Sequence, residues 1–328
     1  MSNLEIRGSV NHPLRRNWKY LYNQRCILQH NWDVGRYTAT TVNGAHDDSI
    51  YCLQFSHQYI ITGSRDRSIK IWDADSLEII RVLDGVHTGS VLCLAFNSKY
   101  LVSGSSDATI VIWDFETGRP IRQIKSHEAA VLDMRLCGQY IYTCSKDMTI
   151  RKFEVDTGSH VLTLFGHEAA VNCISVHDNK LASASGDSKI MLWDCETGHL
   201  IKVFTGHTRG LACVQYDGKT IASGSNDRAI RIWNATTGEC LQMLEGHTDL
   251  VRTLYFNQKG LLVSGGYDHK VILWDLNKGT KLYELHQEHS SWVFHAVFDE
   301  RRIVTSGQDS RLVVWDFTTD VDCIDEIL

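Results

Sequence analysis

An aromatic residue followed by an acid or amide returns every 40 or 41 positions along this chain: Trp72-Asp73, Trp113-Asp114, Phe153-Glu154, Trp193-Asp194, Trp233-Asn234, Trp274-Asp275 and Trp315-Asp316. A period of that length, held seven times, commits most of the chain to one stacked supersecondary unit rather than to separate domains. Three further chemical types keep the same register. A histidine stands 26 or 27 residues upstream (His46, His87, His127, His167, His207, His247, His289) and an aspartate six residues upstream (Asp66, Asp107, Asp147, Asp187, Asp227, Asp268, Asp309). A hydroxyl stands four residues before each aspartate, at Thr62, Ser103, Thr143, Ser183, Ser223, Ser264 and Thr305.

Within one period, short apolar runs alternate with polar turns. Val91–Phe96 is a continuous apolar run, as in a strand covered on both faces; Tyr100–Gly104, Thr109–Trp113 and Arg119–Ile124 follow after short turns. Four strands per unit with no helix between units imply blades set radially around a channel. The 24 glycines against 2 prolines suit dense hairpins, and 43% apolar content excludes a disordered or collagen-like chain. A net charge of -6 supplies no global attraction to nucleic acid or anionic membrane, so neither is expected as a partner. No run of 18 apolar residues occurs, and Met1-Ser2-Asn3-Leu4-Glu5 is too polar for a signal peptide. The chain is therefore expected inside the cell, in cytoplasm, nucleus or both, with its cysteines as thiols.

These residues resemble the WD-repeat family, through Gly166-His167, Gly206-His207 and Gly246-His247 at one end of the repeat and the Trp-Asp pairs at the other. The resemblance implies an all-β, seven-bladed propeller over residues 33–317, with a short N-terminal helix. It also implies that each histidine, hydroxyl, aspartate and tryptophan form a hydrogen-bonded structural tetrad, as His167, Ser183, Asp187 and Trp193, or His207, Ser223, Asp227 and Trp233. Phe153 has no indole N–H for Thr143, so the third lock should be weaker. The last copy lacks an outer strand on its C-terminal side, and Arg36–Val42 can supply it, closing the ring.

Several patterns suggest chemistry and are better explained by the fold. Ser, His and Asp in every repeat are the parts of a nucleophilic triad, but seven copies and the lack of a Gly-x-Ser-x-Gly turn favour structure. Cys52, Cys93, Cys173 and Cys213 each lie six residues after a repeat histidine, on different blades, and read as core fillers rather than zinc ligands. Asp133 and His295 hold that position in copies 3 and 7 and need partners if buried. Gly218-Lys219-Thr220 lacks the rest of a phosphate loop, and Asn234-Ala235-Thr236 reads as a turn. No enzyme activity, cofactor or metal is expected.

Function is then sought on the surface. In proteins of this resemblance, partners dock on the face bearing the loops before the inner strands, at two positions per blade. Five residues after the histidine stand Tyr51, Leu92, Leu132, Asn172, Ala212, Arg252 and Phe294; before the aspartate stand Arg65, Ser106, Lys146, Gly186, Asn226, Tyr267 and Gln308. Copies 6, 7 and 1 gather Arg252, Tyr267, Trp292, Phe294, Tyr51 and Arg65, the residue types enriched in binding hot spots. Arg65, Arg252 and Lys146 are candidates to pair with a carboxylate or phosphate of a peptide.

Ahead of the propeller, after a tail of residues 1–13, residues 14–32 give an imperfect helical stripe of Leu14, Trp18, Leu21, Tyr22, Cys26 and Leu28, with Pro13 suited to the first turn. Trp18-Lys19, Leu21-Tyr22, Arg25 and Asn31-Trp32 resemble the linker of F-box/WD-repeat proteins. That implies the substrate-receptor part of an SCF ubiquitin ligase, gripping a degradation motif that is often phosphorylated. Only 13 residues precede the helix, too few for an F-box, so a ligase adaptor is expected as a partner only if one lies upstream. The alternative is a WD-repeat scaffold in another complex. The acidic C-terminal tail, residues 318–328, is read as a solvated end.

Overall fold

The computed structural model describes residues 5–6, 15–16, 18–322 and 324–327. Seven four-stranded antiparallel sheets follow one another around a channel. Blade 2 shows the unit: Val91–Phe96 innermost, then Tyr100–Ser105, Thr109–Asp114 and Pro120–Lys125 outermost. The two middle strands are buried almost throughout, whereas the outer strand is exposed along most of its length. This is why the inner sequences are continuous apolar runs and the outer ones are mixed. Blades 1 to 6 run from Ile50–Phe55 to Thr280–Glu284 in simple order, and blade 7 comprises Val293–Phe298, Arg302–Gly307, Leu312–Asp316 and, outermost, Thr38–Val42. The closing strand pairs Thr38 with Asp316 and Val42 with Leu312, two residues shorter than the sequence expectation at its start.

The repeat residues meet as tetrads. In blade 4, Asp187 accepts from His167 Nδ1 (2.8 Å), Ser183 Oγ lies 2.7 Å from His167 Nε2, and Trp193 Nε1–H donates to Ser183 (2.8 Å). Blade 5 repeats this with His207, Asp227, Ser223 and Trp233 at 2.8 Å throughout. The carboxylate also accepts the N–H of the residue after the histidine and of the residue two beyond itself, as Glu168 and Lys189 for Asp187. One buried carboxylate thus ties the loop entering the blade to the turn between its second and third strands, and no partner is left dry. In blade 3, Thr143 bonds His127 (2.9 Å) with no indole to add. Blade 7 departs where the sequence did not suggest it: Trp315 is fully buried, yet its Nε1–H has no partner, while Thr305 still bonds His289 (2.7 Å). Nothing in the structure explains that departure.

Burial holds His87, His127, His167 and His207 below the ordinary imidazole range despite their aspartates. Burial pushes the aspartates up, but hydrogen bonds from hydroxyls, backbone N–H groups and imidazoles outweigh it, leaving Asp107 and Asp147 at about 2. Both shifts are downward in the folded state, so the unfolded chain binds more protons in acid. The stability they contribute is present above the unfolded values, about 6.5 for His and about 3.9 for Asp, and is lost as pH falls through the folded ones. Thermal melts across pH should therefore be flat above about 7, decline below about 6.5 and steepen below about 4. A melting temperature that rises on acidification from pH 7 to 4 would contradict this reading.

The N-terminal helix runs from Trp18 to Val34; Arg15–Arg16 forms a two-residue strand with Glu5–Ile6, and Pro13 and Leu14 lie outside the described residues. The expected stripe is corrected. Trp18, Tyr22 and Cys26 face solvent, and the buried face is Leu21, Gln24, Leu28, Asn31 and Trp32. Two polar side chains sit on that face because the C-terminal segment supplies partners: Gln24 accepts Asp322 N–H (2.8 Å), and Asn31 donates to the carbonyls of Phe317 and Thr319 (2.8 Å each). Trp32 stacks on Phe317 with centroids 3.8 Å apart and donates to Glu300 O. Gly35, at φ 72, ends the helix in the left-handed region, which favours glycine.

The tail is likewise no simple solvated end, since Asp320 pairs with Arg36 and Asp322 accepts from Tyr20. Beside it, the buried Arg302 of blade 7 lies over the Phe55 ring of blade 1 and donates to the carbonyls of Ala74 and His57. These contacts lie on the first-to-second and third-to-fourth-strand turns, the end of the ring opposite the tetrads.

Candidate functional site

Each inner strand carries a bulge at one repeat position. The ladder runs from Ile50 to Cys52 in blade 1, from Val251 to Thr253 in blade 6 and from Val293 to His295 in blade 7, skipping Tyr51, Arg252 and Phe294. The same break skips Leu92, Leu132, Asn172 and Ala212 in the other blades. A bulge re-aims the unpaired side chain. Tyr51, Leu92, Leu132, Asn172, Arg252 and Phe294 line a channel of about 250 Å³. The second expected position is tied by backbone, in every blade, to the residue two places before the first: Arg65 N–H donates to Ser49 O (2.9 Å), Lys146 to Ala130 O (3.0 Å), Tyr267 to Leu250 O (2.9 Å) and Gln308 to Trp292 O (2.9 Å). The fold therefore presents two neighbouring variable side chains per blade at one mouth of the channel.

At blades 6, 7 and 1 those positions join. Tyr267 and Trp292 stack with centroids 4.3 Å apart and planes 5° apart. Phe294 meets Trp292 at 6.3 Å, Tyr267 at 6.0 Å and Tyr51 at 5.2 Å. Trp292 is 38% exposed and Phe294 only 5%. Phe294 thus supports the platform from beneath, and Trp292, Tyr267 and Tyr51 present its surface. A rigid aromatic surface loses little side-chain entropy when a partner covers it.

The basic residues are less uniform. Arg65 is exposed and lies 3.7 Å from Asp48, a surface pair that costs little to break. Arg252 lines the channel and forms no hydrogen bond or ion pair with any described residue. Lys146 stands on blade 3, outside the aromatic cluster, also exposed. Sequence reasoning passed over Arg67 and Arg228, exposed and left-handed at φ 74 and 72, each one residue after a tetrad aspartate. Their signal was present: the aspartate turn needs a left-handed residue there in all seven blades, and it projects from this same face.

Deeper in the channel, Asp133 finds the partners the sequence left open. It accepts from Ile174 N–H of the next blade (3.0 Å), from Met134 N–H (2.8 Å) and from Arg135 (2.7 Å). The cysteines do more than fill space. Cys52, Cys93, Cys173 and Cys213 direct their thiols at carbonyls of the following blade, Val91, Val131, Val214 and Val251, at 3.5 to 3.9 Å. Burial pushes all four thiols up, Cys213 to about 12, which leaves them unreactive. Among the described residues no group of three His, Cys, Asp or Glu is placed to hold a metal ion. No described helix is long and apolar enough to cross a membrane.

A family model described as the WDR36/Utp21 first beta-propeller matches residues 60–318, and one for the WD domain, G-beta repeat, matches residues 37–73. Among relatives, a probable E3 ubiquitin ligase complex SCF subunit, scon-2 of Neurospora crassa, is 36% identical over 83 residues, 25% of this chain and 13% of that protein. The corresponding sconB of Penicillium rubens is 41% identical over 68 residues, 21% of this chain and 10% of its own. These matches therefore span only a small part of those relatives' length. Among solved structures, the computationally designed Ika8 protein superposes with a TM-score of 0.70 at 29% identity, over 83% of this chain and 84% of that one.

Proposed function

The chain belongs to the WD-repeat β-propeller family, and on that premise we propose that it is a non-catalytic protein-binding module whose partner docks on the channel mouth at blades 6, 7 and 1. The partner is a peptide segment bearing an apolar or aromatic residue beside a carboxylate or phosphate. The platform of Tyr267, Trp292 and Tyr51 over Phe294 is the observation that carries this reading, with Arg252 lining the same channel as Tyr51 and Phe294, and Arg65 exposed on blade 1. The partial likeness to SCF subunits supports a role in which the propeller selects substrates for ubiquitin transfer. A scaffold role in another assembly is the second reading. It is favoured by the family match over residues 60–318, which covers far more of the chain than the SCF relatives do.

The test is affinity capture with wild type and with Arg65→Glu/Arg252→Glu. Both positions lie outside the tetrads, so the variant should melt with the wild type while its partner is recovered at least tenfold less, an effect of about 1.4 kcal/mol or more. Phosphatase treatment of the input distinguishes a phosphate from a carboxylate. Undiminished capture by the double variant contradicts the proposal.

A further inference from the structure

Most polar side chains lining the channel are committed to the ring itself. Asp133 is held by Arg135 and two backbone N–H groups. Asn172 donates to Leu211 O, Ser175 accepts Tyr216 N–H, and Gln215 both accepts from and donates to Phe256. Thr253 accepts Ala296 N–H. These bonds stitch the seams from blade 3 round to blade 7. The exceptions lie together on the other side. The side chains of Arg252 in blade 6 and Gln54 in blade 1 line the channel with no hydrogen bond to any described residue, and His295 of blade 7 has a buried Nδ1 without a partner. Three consecutive blades thus point a guanidinium, an imidazole and an amide at one space, where two arginines face a single carboxylate that is already paired.

Donors without acceptors, beside uncompensated positive charge, fit an oxyanion. We propose that the channel below the aromatic platform is an oxyanion site in which Arg252, His295 and Gln54 hold one carboxylate, sulfate or phosphate group. The anion is either an acidic side chain of the docked partner, in which case the site rests on the binding reading above, or a free ion.

Proton linkage follows from the geometry. The charges facing His295 are Asp133, Arg135 and Arg252. Burial lowers its pKa to about 4, and the two arginines add to that effect while Asp133 opposes it. An anion lodged against the ring favours the imidazolium, so binding takes up a proton and strengthens as pH falls.

Sulfate is the probe, because it keeps its charge across the range used. Calorimetric titration of the full chain at pH 7.5 and 5.5 should show binding at least threefold tighter at the lower pH. Arg252→Gln should weaken it at least tenfold at both values, and His295→Leu should remove the pH dependence. His295→Gln guards against a folding defect in the leucine variant and should also abolish the pH dependence. Sulfate that displaces a captured partner assigns the site to the partner's acidic group; sulfate that binds beside it assigns the site to a free ion. Wild type that does not bind sulfate, or binding indifferent to Arg252→Gln, overturns the inference. If partner capture still depends on Arg65 and Arg252 in that event, the binding reading stands and the channel site alone falls.

Discussion

A chain beginning at residue 43 will not form a cooperative ring, whereas one beginning at residue 36 will. The longer chain keeps Thr38–Val42, all five residues of which pair with Leu312–Asp316. Without them, the third strand of blade 7 becomes a bare apolar edge, Leu312-Val313-Val314-Trp315, that is wholly buried in the intact protein. Such an edge invites pairing between molecules. The chain from 36 still loses the helix, and with it the burial of Leu21, Leu28 and Trp32, each contributing about 1.5–3 kcal/mol. It should melt lower but in one transition. Size-exclusion chromatography and tryptophan fluorescence melts distinguish the outcomes: aggregation or a broad, drifting melt for the chain from 43, a monomer with a sharp transition for the chain from 36. A sharp, monomeric chain from 43 would show that the ring does not need this strand.

The second large effect belongs to the tetrads. Asp187→Ala strands three donors at once, the Nδ1–H of His167 and the N–H groups of Glu168 and Lys189. Buried donors left without acceptors cost about 1–3 kcal/mol each when water cannot reach them, and the two backbone groups lie nearer solvent than the imidazole. A loss of about 3 kcal/mol is expected, lowering Tm by roughly 4 °C in a protein of this size. The same change in blade 3, Asp147→Ala, strands His127 Nδ1 and the N–H groups of Glu128 and Thr149. It should cost a similar amount, because the missing indole of Phe153 bonds the hydroxyl and not the carboxylate. Differential scanning calorimetry reads both. If Asp187→Ala leaves Tm unchanged, or if its effect is on partner capture at unaltered Tm, the tetrads are not the structural locks described.

The periodic residues made the architecture legible because each answers a demand that recurs in every blade: a buried indole, imidazole and carboxylate must share partners, so their spacing is rigid. Closure was legible for the same reason, since a missing outer strand leaves an edge to be covered. The helix was misread because its buried face is partly polar. Gln24 and Asn31 bond backbone groups near 320, some 290 residues away, and no local periodicity reports such partners. At the candidate site, both positions per blade were legible from the repeat register but their depth was not. Phe294 and Tyr51 occupy the same repeat position, yet one is buried beneath its neighbours and the other is not, a difference set by the Tyr267–Trp292 stack above Phe294. Arg67 and Arg228 were missed because they stand one residue beyond the aspartate rather than before it. His295 could be flagged from its repeat position, but its lack of a partner is visible only in three dimensions.

Hydrogen–deuterium exchange of the full chain, alone and bound to its captured partner, maps the face on which that partner docks. Added protection is expected at the starts of the inner strands and at the second-to-third-strand turns of blades 6, 7 and 1, around residues 249–253, 266–269, 290–295, 307–310, 48–52 and 64–67. Blades 2 to 4 and the N-terminal helix should be unchanged. Protection confined to the helix and the opposite end of the ring, or spread over the outer strands, would contradict docking at the channel mouth.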